Sequence, residues 1–246
     1  MSKKERLDKI LSNMGYGSRR EIKEYAKEGR IKVNAEIAKD SSLKVDPYAD
    51  LISFDGEKLK YTKYIYLMMN KPDGITSSTD DHFNETVIDI IDSKYRAFSP
   101  FPVGRLDKDT EGLLILTNDG QLAHELLSPR KHVDKTYYVE VDGYVDESYK
   151  EVFSSGIVLG DGYKTMPAKL EILESNFISK VKLTIREGKF HQVKRMFQAI
   201  GMEVLYLKRI SMGELFLDDT LSSGDYRELS EDELMILKNK GKKVQD

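Results

Sequence analysis

Apolar side chains recur at helical spacing near the start of the chain. Leu7, Ile10, Leu11 and Met14 fall on one face, and Gly15 follows as a stop. Ser18-Arg19-Arg20-Glu21 reads as a capping box, in which the serine oxygen takes one orphan N–H and the glutamate reaches back for another. The helix it opens carries Ile22, Tyr25 and Ala26 on one side and ends at Gly29. The pattern then changes to alternation. Ile31, Val33 and Ile37 surround Asn34-Ala35, and Leu51, Ile52 and Phe54 lead into an Asp55-Gly56 turn. Two short helices followed by turn-linked strands predict a small α/β unit over 1–60.

A charged stretch, 57–63, separates this unit from strand-like runs at 64–69, 113–117, 137–141, 181–186 and 204–210. Helices are predicted between them at 86–92, 121–127, 147–153 and 191–200. Strands predominate and strict βαβ alternation is missing. The predicted class is therefore α+β, with a second domain over 61–235 built on a mixed, mainly antiparallel sheet. The lysine-rich end, 236–246, reads as a frayed basic tail.

Composition narrows the chemistry. The chain has no cysteine, which excludes disulfides, thiolate catalysis and cysteine-ligated metals. No apolar run approaches the roughly 18 residues of a spanning helix, so a soluble, cytoplasmic protein without a membrane partner is expected. A net charge of -3 argues against a nucleic-acid partner until it is counted by segment. Residues 1–30 hold nine basic side chains against five acids, and 186–209 hold six against two, each +4. Such patches steer a polyanion even when the total is slightly negative, although either alone also fits a solvated helix face.

Three segments could carry chemistry. Gly104-Arg105-Leu106-Asp107-Lys108-Asp109-Thr110-Glu111-Gly112 is an acid-rich loop running into the apolar strand 113–117. At such a junction a carboxylate is either tuned by desolvation or simply part of a solvated turn. A calcium loop fails, because its twelfth position is Asn118 and its fifth is the long Glu111. In the second segment, Val193, Met196, Phe197 and Ile200 form a core stripe. Lys194 and Arg195 sit beside it, with Lys194 in the first helical turn, where the macrodipole disfavours a cation and calls for an anion. His191 is a candidate acid–base group. The four histidines lack paired spacing, so no metal is expected. The third segment is Lys135-Thr136-Tyr137-Tyr138, preceded by Arg130 and Lys131. One tyrosine faces inward, as core or as an aromatic floor for a base, with the arginine and lysine on phosphates.

Together these segments resemble the RsuA class of bacterial ribosomal pseudouridine synthases. Residues 104–120 match GRLDxDTxGLLxLTNDG, Lys135 and Tyr137 match K-x-Y, and 188–196 match G-[KR]-[FY]-HQVKRM. Asn70-Lys71-Pro72-Asp73-Gly74 and Ser78-Thr79-Asp80-Asp81 also fit. The N-terminal unit resembles an S4 RNA-binding module, departing from it at Ala35, where glycine is common.

The resemblance implies isomerisation of uridine to pseudouridine without a cofactor. It implies Asp107 as catalytic carboxylate, Lys194 as its basic partner and Tyr137 as the aromatic that stacks on the base. Arg105 would fill the place of the flipped nucleotide. Arg6, Arg19, Arg20, Lys23, Arg130, Lys131, His191, Gln192 and Arg195 would contact RNA. It further implies a monomer acting on ribosomal RNA, most like the small-subunit enzyme for uridine 516 of 16S rRNA within an assembling subunit. The large-subunit branch of the class is the alternative. Two rival readings are a non-catalytic rRNA-binding assembly factor and a magnesium nuclease using Asp107, Asp109 and Glu111.

Overall fold

In the computed structural model, which describes residues 4–128 and 133–239, Ser18 caps its helix as the spacing predicts. Its hydroxyl accepts from the Glu21 N–H, and the Glu21 carboxylate accepts from the Ser18 N–H. The chain falls into two units by internal contacts, 1–65 with 91–100, and 66–90 with 101–246.

The first unit runs β1 (Glu5–Arg6), α1 (Leu7–Asn13), α2 (Arg19–Lys27), β2 (Ile31–Val33), β3 (Glu36–Ile37), β4 (Lys44–Val45), β5 (Ile52–Phe54) and β6 (Glu57–Lys58). A later stretch adds α3 (Ser93–Arg96). The inner faces of α1 and α2 close over Ile31, Val33, Val45 and Ile52. Ile37 is exposed, because β3 is the edge of the strand order β3-β2-β5-β6. Both hairpin turns require two residues at positive φ. Asp55 and Gly56 supply 51° and 87°, while Asn34 and Ala35 supply 51° and 70°. A left-handed alanine is strained by about 1–2 kcal/mol, since its Cβ crowds the next carbonyl.

The second unit runs β7 (Tyr66–Lys71), β8 (Phe101–Pro102), β9 (Glu111–Thr117), α4 (Gly120–Leu127), β10 (Lys135–Asp142), α5 (Ser148–Ser154), β11 (Lys169–Glu174) and β12 (Ile178–Ile185). It continues through α6 (Gln192–Ala199), β13 (Val204–Met212), β14 (Leu215–Phe216), β15 (Tyr226–Glu228) and α7 (Glu231–Asn239). One mixed sheet has the order β11-β12-β10-β13-β9-β7-β15, with β14 on β13 and β8 on β9. Its pairings are antiparallel except that of β13 with β9. Gly112 permits that parallel contact, because a Cβ there would lie 2.3 Å from the Arg209 carbonyl oxygen.

Two predicted features differ. The helix expected over 86–92 is a turn, because the Thr86 N–H and hydroxyl both donate to Asp89 (2.8 and 2.7 Å) and Ile88 N–H donates to Thr86 Oγ1. Such side-chain bonds offer the backbone an alternative to helix. The next helix along the chain is α3, which begins at Ser93. The tail drawn from 236 begins inside α7, whose Leu237 is buried in the core cluster that also holds Met68, Leu113 and Leu126. Residues 240–246 lie outside the described residues.

Candidate active site

The loop bearing Asp107 is held from behind by the segment after β7. The Ser77 hydroxyl donates to the Leu106 carbonyl (3.0 Å) and accepts from the Leu106 N–H (3.2 Å). The Gly74 N–H donates to the Lys108 carbonyl (3.0 Å). Lys71, fully buried, donates through Nζ to the carbonyls of Pro72, Lys108 and Thr110 at 2.9, 3.1 and 3.0 Å. Burial pushes its pKa down to about 8, against the pull of Asp73 and Asp109. No role was assigned to Lys71 from sequence. A charge closing the buried strand β7 was the available signal.

Asp107 is half-buried and faces a histidine and a lysine. His191 Nε2 lies 3.7 Å from Oδ1, and Lys194 Nζ lies 4.0 Å from Oδ2. The predicted partner of Lys194 is thus not its nearest one. Its Nζ sits 2.5 Å from Asp109 Oδ1, and this bond holds the Asp109 carboxyl below the usual carboxylate range. The lysine bridges two loop carboxylates, which offsets its unfavourable place in the first turn of α6. His191 caps that helix with φ 47°, a left-handed conformation costing on the order of 1–3 kcal/mol for a residue with a Cβ. Its ring stacks on Phe190, with centroids 3.7 Å apart and planes 18° from parallel.

Tyr137 is the inward tyrosine, while the Tyr138 hydroxyl on the other face donates to Glu140. Tyr137 and Asp107 line one small cavity of about 80 Å³. Tyr137 and the exposed Arg105 also line a second cavity of about 370 Å³, together with Lys135 and Arg209. A larger groove of about 800 Å³ between α5 and β11 mixes Lys150, Lys169 and Arg186 with Glu151, Glu171 and Asp134. It contains none of the Asp107 cluster. Arg209 is a residue that sequence reasoning missed. Alternation along β13 puts it on the buried face with Leu207 and Ser211, and that was its signal.

The residues expected to touch RNA divide. Gln192 is buried rather than on the surface, because the loop uses both ends of its amide. Its oxygen accepts from the Lys189 N–H (2.9 Å) and its nitrogen donates to Glu187 (2.8 Å). Arg195 pairs with Asp161 at 2.5 Å and donates to the Phe190 carbonyl. In the first unit Arg6 pairs with Asp8 at 2.6 Å. Arg19, Arg20 and Lys23 are exposed on α2 and make no ion pair among the described residues. Arg130 and Lys131 lie outside the described residues. Of the three loop acids, Glu111 accepts from the Tyr206 hydroxyl (2.9 Å). Among the described residues no three acidic or histidine side chains gather to hold a metal ion, and no helix is long and apolar enough to cross a membrane.

Comparison with known proteins gives this geometry its relatives. An S4 domain matches residues 5–50, and RNA pseudouridylate synthase matches residues 65–199. An uncharacterized RNA pseudouridine synthase of Bacillus subtilis is 51% identical over 94% of this chain and 98% of its own. The ribosomal small subunit pseudouridine synthase A of Vibrio cholerae is 39% identical over 93% and 97%. The ribosomal large subunit pseudouridine synthase B of Bacillus subtilis is also 39% identical, over 95% and 96%. A crystal structure of a pseudouridylate synthase, 39% identical, superposes with a TM-score of 0.66 over 94% of this chain and 99% of that one. With the Asp107 loop, the inward Tyr137 and the Lys194 helix all falling within the matched residues, the chain belongs to the RNA pseudouridylate synthase family.

Proposed function

We propose that this chain converts uridine to pseudouridine at one site of 16S ribosomal RNA, with Asp107 as the catalytic carboxylate. The observation that carries this reading is the position of Asp107 between His191 and Lys194 on a cavity wall shared with Tyr137. Asp109 is drawn off by Lys194 and Glu111 by Tyr206, so one carboxylate is left for the substrate. A lone carboxylate suits covalent or proton-transfer chemistry at a sugar carbon better than hydrolysis, which usually recruits a pair.

In this reading uridine is flipped from its stack at a cost of roughly a few kcal/mol, offset by contacts to the rest of the RNA. Arg105, exposed at the mouth of both cavities, fills the space the base leaves. The base lies on the face of Tyr137, and Asp107 meets the ribose as nucleophile or as base. Lys194, 4.0 Å away, helps hold that carboxylate in place. The S4 unit grips flanking RNA through Arg19, Arg20 and Lys23.

The small-subunit target follows the Vibrio cholerae relative. The Bacillus subtilis large-subunit relative is equally identical and supplies the second reading. Carbodiimide mapping of rRNA from cells lacking this gene tests both. One missing pseudouridine in 16S rRNA is the expected result, and one missing in 23S rRNA moves the target to the large subunit. An unchanged map in both would sink the assignment.

A further inference from the structure

The cavity beside Tyr137 holds more positive charge than the chemistry above uses. Arg105, Lys135, Arg186, Lys189 and Arg209 line it, against Glu187 as the acid. Two of these cations are committed elsewhere. Arg186 pairs with Asp134 at 2.9 Å, and Lys189 lies over the Tyr163 ring at 4.7 Å. Glu187 is consumed by the Tyr163 hydroxyl, the Met166 N–H and Gln192.

Lys135 and Arg209 are different. Arg209 is 2% exposed; its Nε donates to the Leu113 carbonyl at 2.8 Å, and its Nη2 has no partner. Lys135 donates to the Val133 carbonyl at 3.0 Å. Neither makes an ion pair among the described residues. Tyr137 pairs with Arg209 across β10 and β13, and Lys135 stands two residues from Tyr137 on the same strand face. Burial and the neighbouring Arg209 guanidinium bring the Lys135 pKa down to about 8, against the pull of Asp134. A buried donor left unpaired is costly and rare, so two cations with spare donors beside an aromatic face fit a planar anion.

We propose that Lys135 and Arg209 receive the negative charge that uracil acquires when its bond to the ribose breaks. The inference rests on the pseudouridine reading. As the C1′–N1 bond breaks, its electron pair leaves with the ring, giving a uracil anion whose charge spreads over its two carbonyl oxygens. Asp107 compensates the sugar, either by bonding to C1′ or by taking the C2′ proton. The ring turns and C5 supplies an electron pair to C1′. Asp107 is thereby released from C1′ or returns its proton to C2′. C5 sheds a proton and N1 gains one, so the product is an isomer and nothing is consumed. Donors held in fixed positions stabilise such a charge without having to reorganise.

The test is a leaving-group comparison under single turnover, following loss of the parent nucleoside from an rRNA fragment by mass spectrometry. The fragment carries either uridine or the more acidic 5-fluorouridine at the target. With uridine, Lys135→Met should slow the reaction about 100- to 1000-fold, the range for loss of one fixed donor to a developing charge. With 5-fluorouridine, whose departing anion needs less help, the same variant should lose only a few-fold. Lys135→Arg should recover most of the rate, and RNA affinity should change by less than about two-fold. Equal slowing of both nucleosides, or a loss confined to RNA affinity, would overturn the inference and make Lys135 a contact to the RNA backbone. Arg209→Met, checked by thermal unfolding for an intact fold, should repeat the pattern of Lys135→Met. If the wild-type protein consumes no uridine, the pseudouridine reading itself fails, and that outcome is distinct from the others.

Discussion

Two stretches of this chain carry the same net charge of +4, and three α2 cations in the first contrast with most cations of the second. On α2, Arg19, Arg20 and Lys23 stand in solvent without an ion pair among the described residues. In 186–209, Arg186, Lys194 and Arg195 are tied to Asp134, Asp109 and Asp161, and Arg209 is buried against a backbone carbonyl. Free cations on a helix can slide along a polyanion and gain affinity by counterion release. Cations locked to carboxylates and carbonyls add little long-range attraction but fix the atoms around them. Charge count shows where RNA can be drawn; pairing shows what each cation does once it is there.

The comparison breaks most readily at Asp107. Asp107→Asn should lower pseudouridine formation by a factor on the order of 10³ or more, with RNA affinity retained, because it removes chemistry and leaves the free cations in place. Single-turnover kinetics beside a filter-binding isotherm reads both, and a near-wild-type rate would remove Asp107 from the mechanism.

Lys71 is the extreme of a locked cation. Lys71→Met leaves three carbonyls short of a donor and should cost about 2–3 kcal/mol in urea unfolding, with a slower reaction as the Asp107 loop loosens. Its pH signature has a definite sign. The folded-state pKa of about 8 lies below the ordinary 10.5, so the folded protein releases this proton first. Stability therefore rises between about pH 8 and pH 10.5, and the Met variant lacks Lys71's share of the rise.

Replacing Arg19, Arg20 and Lys23 together by alanine should weaken RNA binding about 10-fold near physiological salt. It should also reduce the slope of log affinity against log salt by roughly 2–3, with the rate at saturating RNA unchanged. An unchanged slope would mean that α2 faces away from RNA. The smallest effect is expected at Ala35, whose φ of 70° glycine adopts without strain. Ala35→Gly should stabilise the first unit by about 0.5–1 kcal/mol, read by thermal unfolding, and should leave the salt slope untouched.

What could be read from the sequence was local. The Ser18 cap and the stripe of α6 depend on residues three and four apart, so spacing alone specifies them. The 86–92 segment failed for an equally local reason, because the Thr86 and Asp89 side chains compete with the helix for its N–H groups. The clip made by Lys71 was out of reach, since its acceptors lie up to 39 positions away. Pairing of Lys194 with Asp109 in preference to Asp107 depends on a loop shape that no periodicity encodes. Arg209 and Gln192 show the same limit. Gln192 was expected on the RNA surface, and Arg209 was given no role; the packing of distant strands and loops buries both.

The place of β13 within the sheet sets a timetable for the enzyme. That strand lies between β10 and β9, so it joins the half of the sheet that carries Tyr137 to the half that follows the Asp107 loop. A growing chain that has not yet delivered residues 204–212 has β10 and β9 but not the strand that pairs with both. The pairing that joins the Tyr137 strand to the strand after the Asp107 loop thus waits until residue 212 has been made.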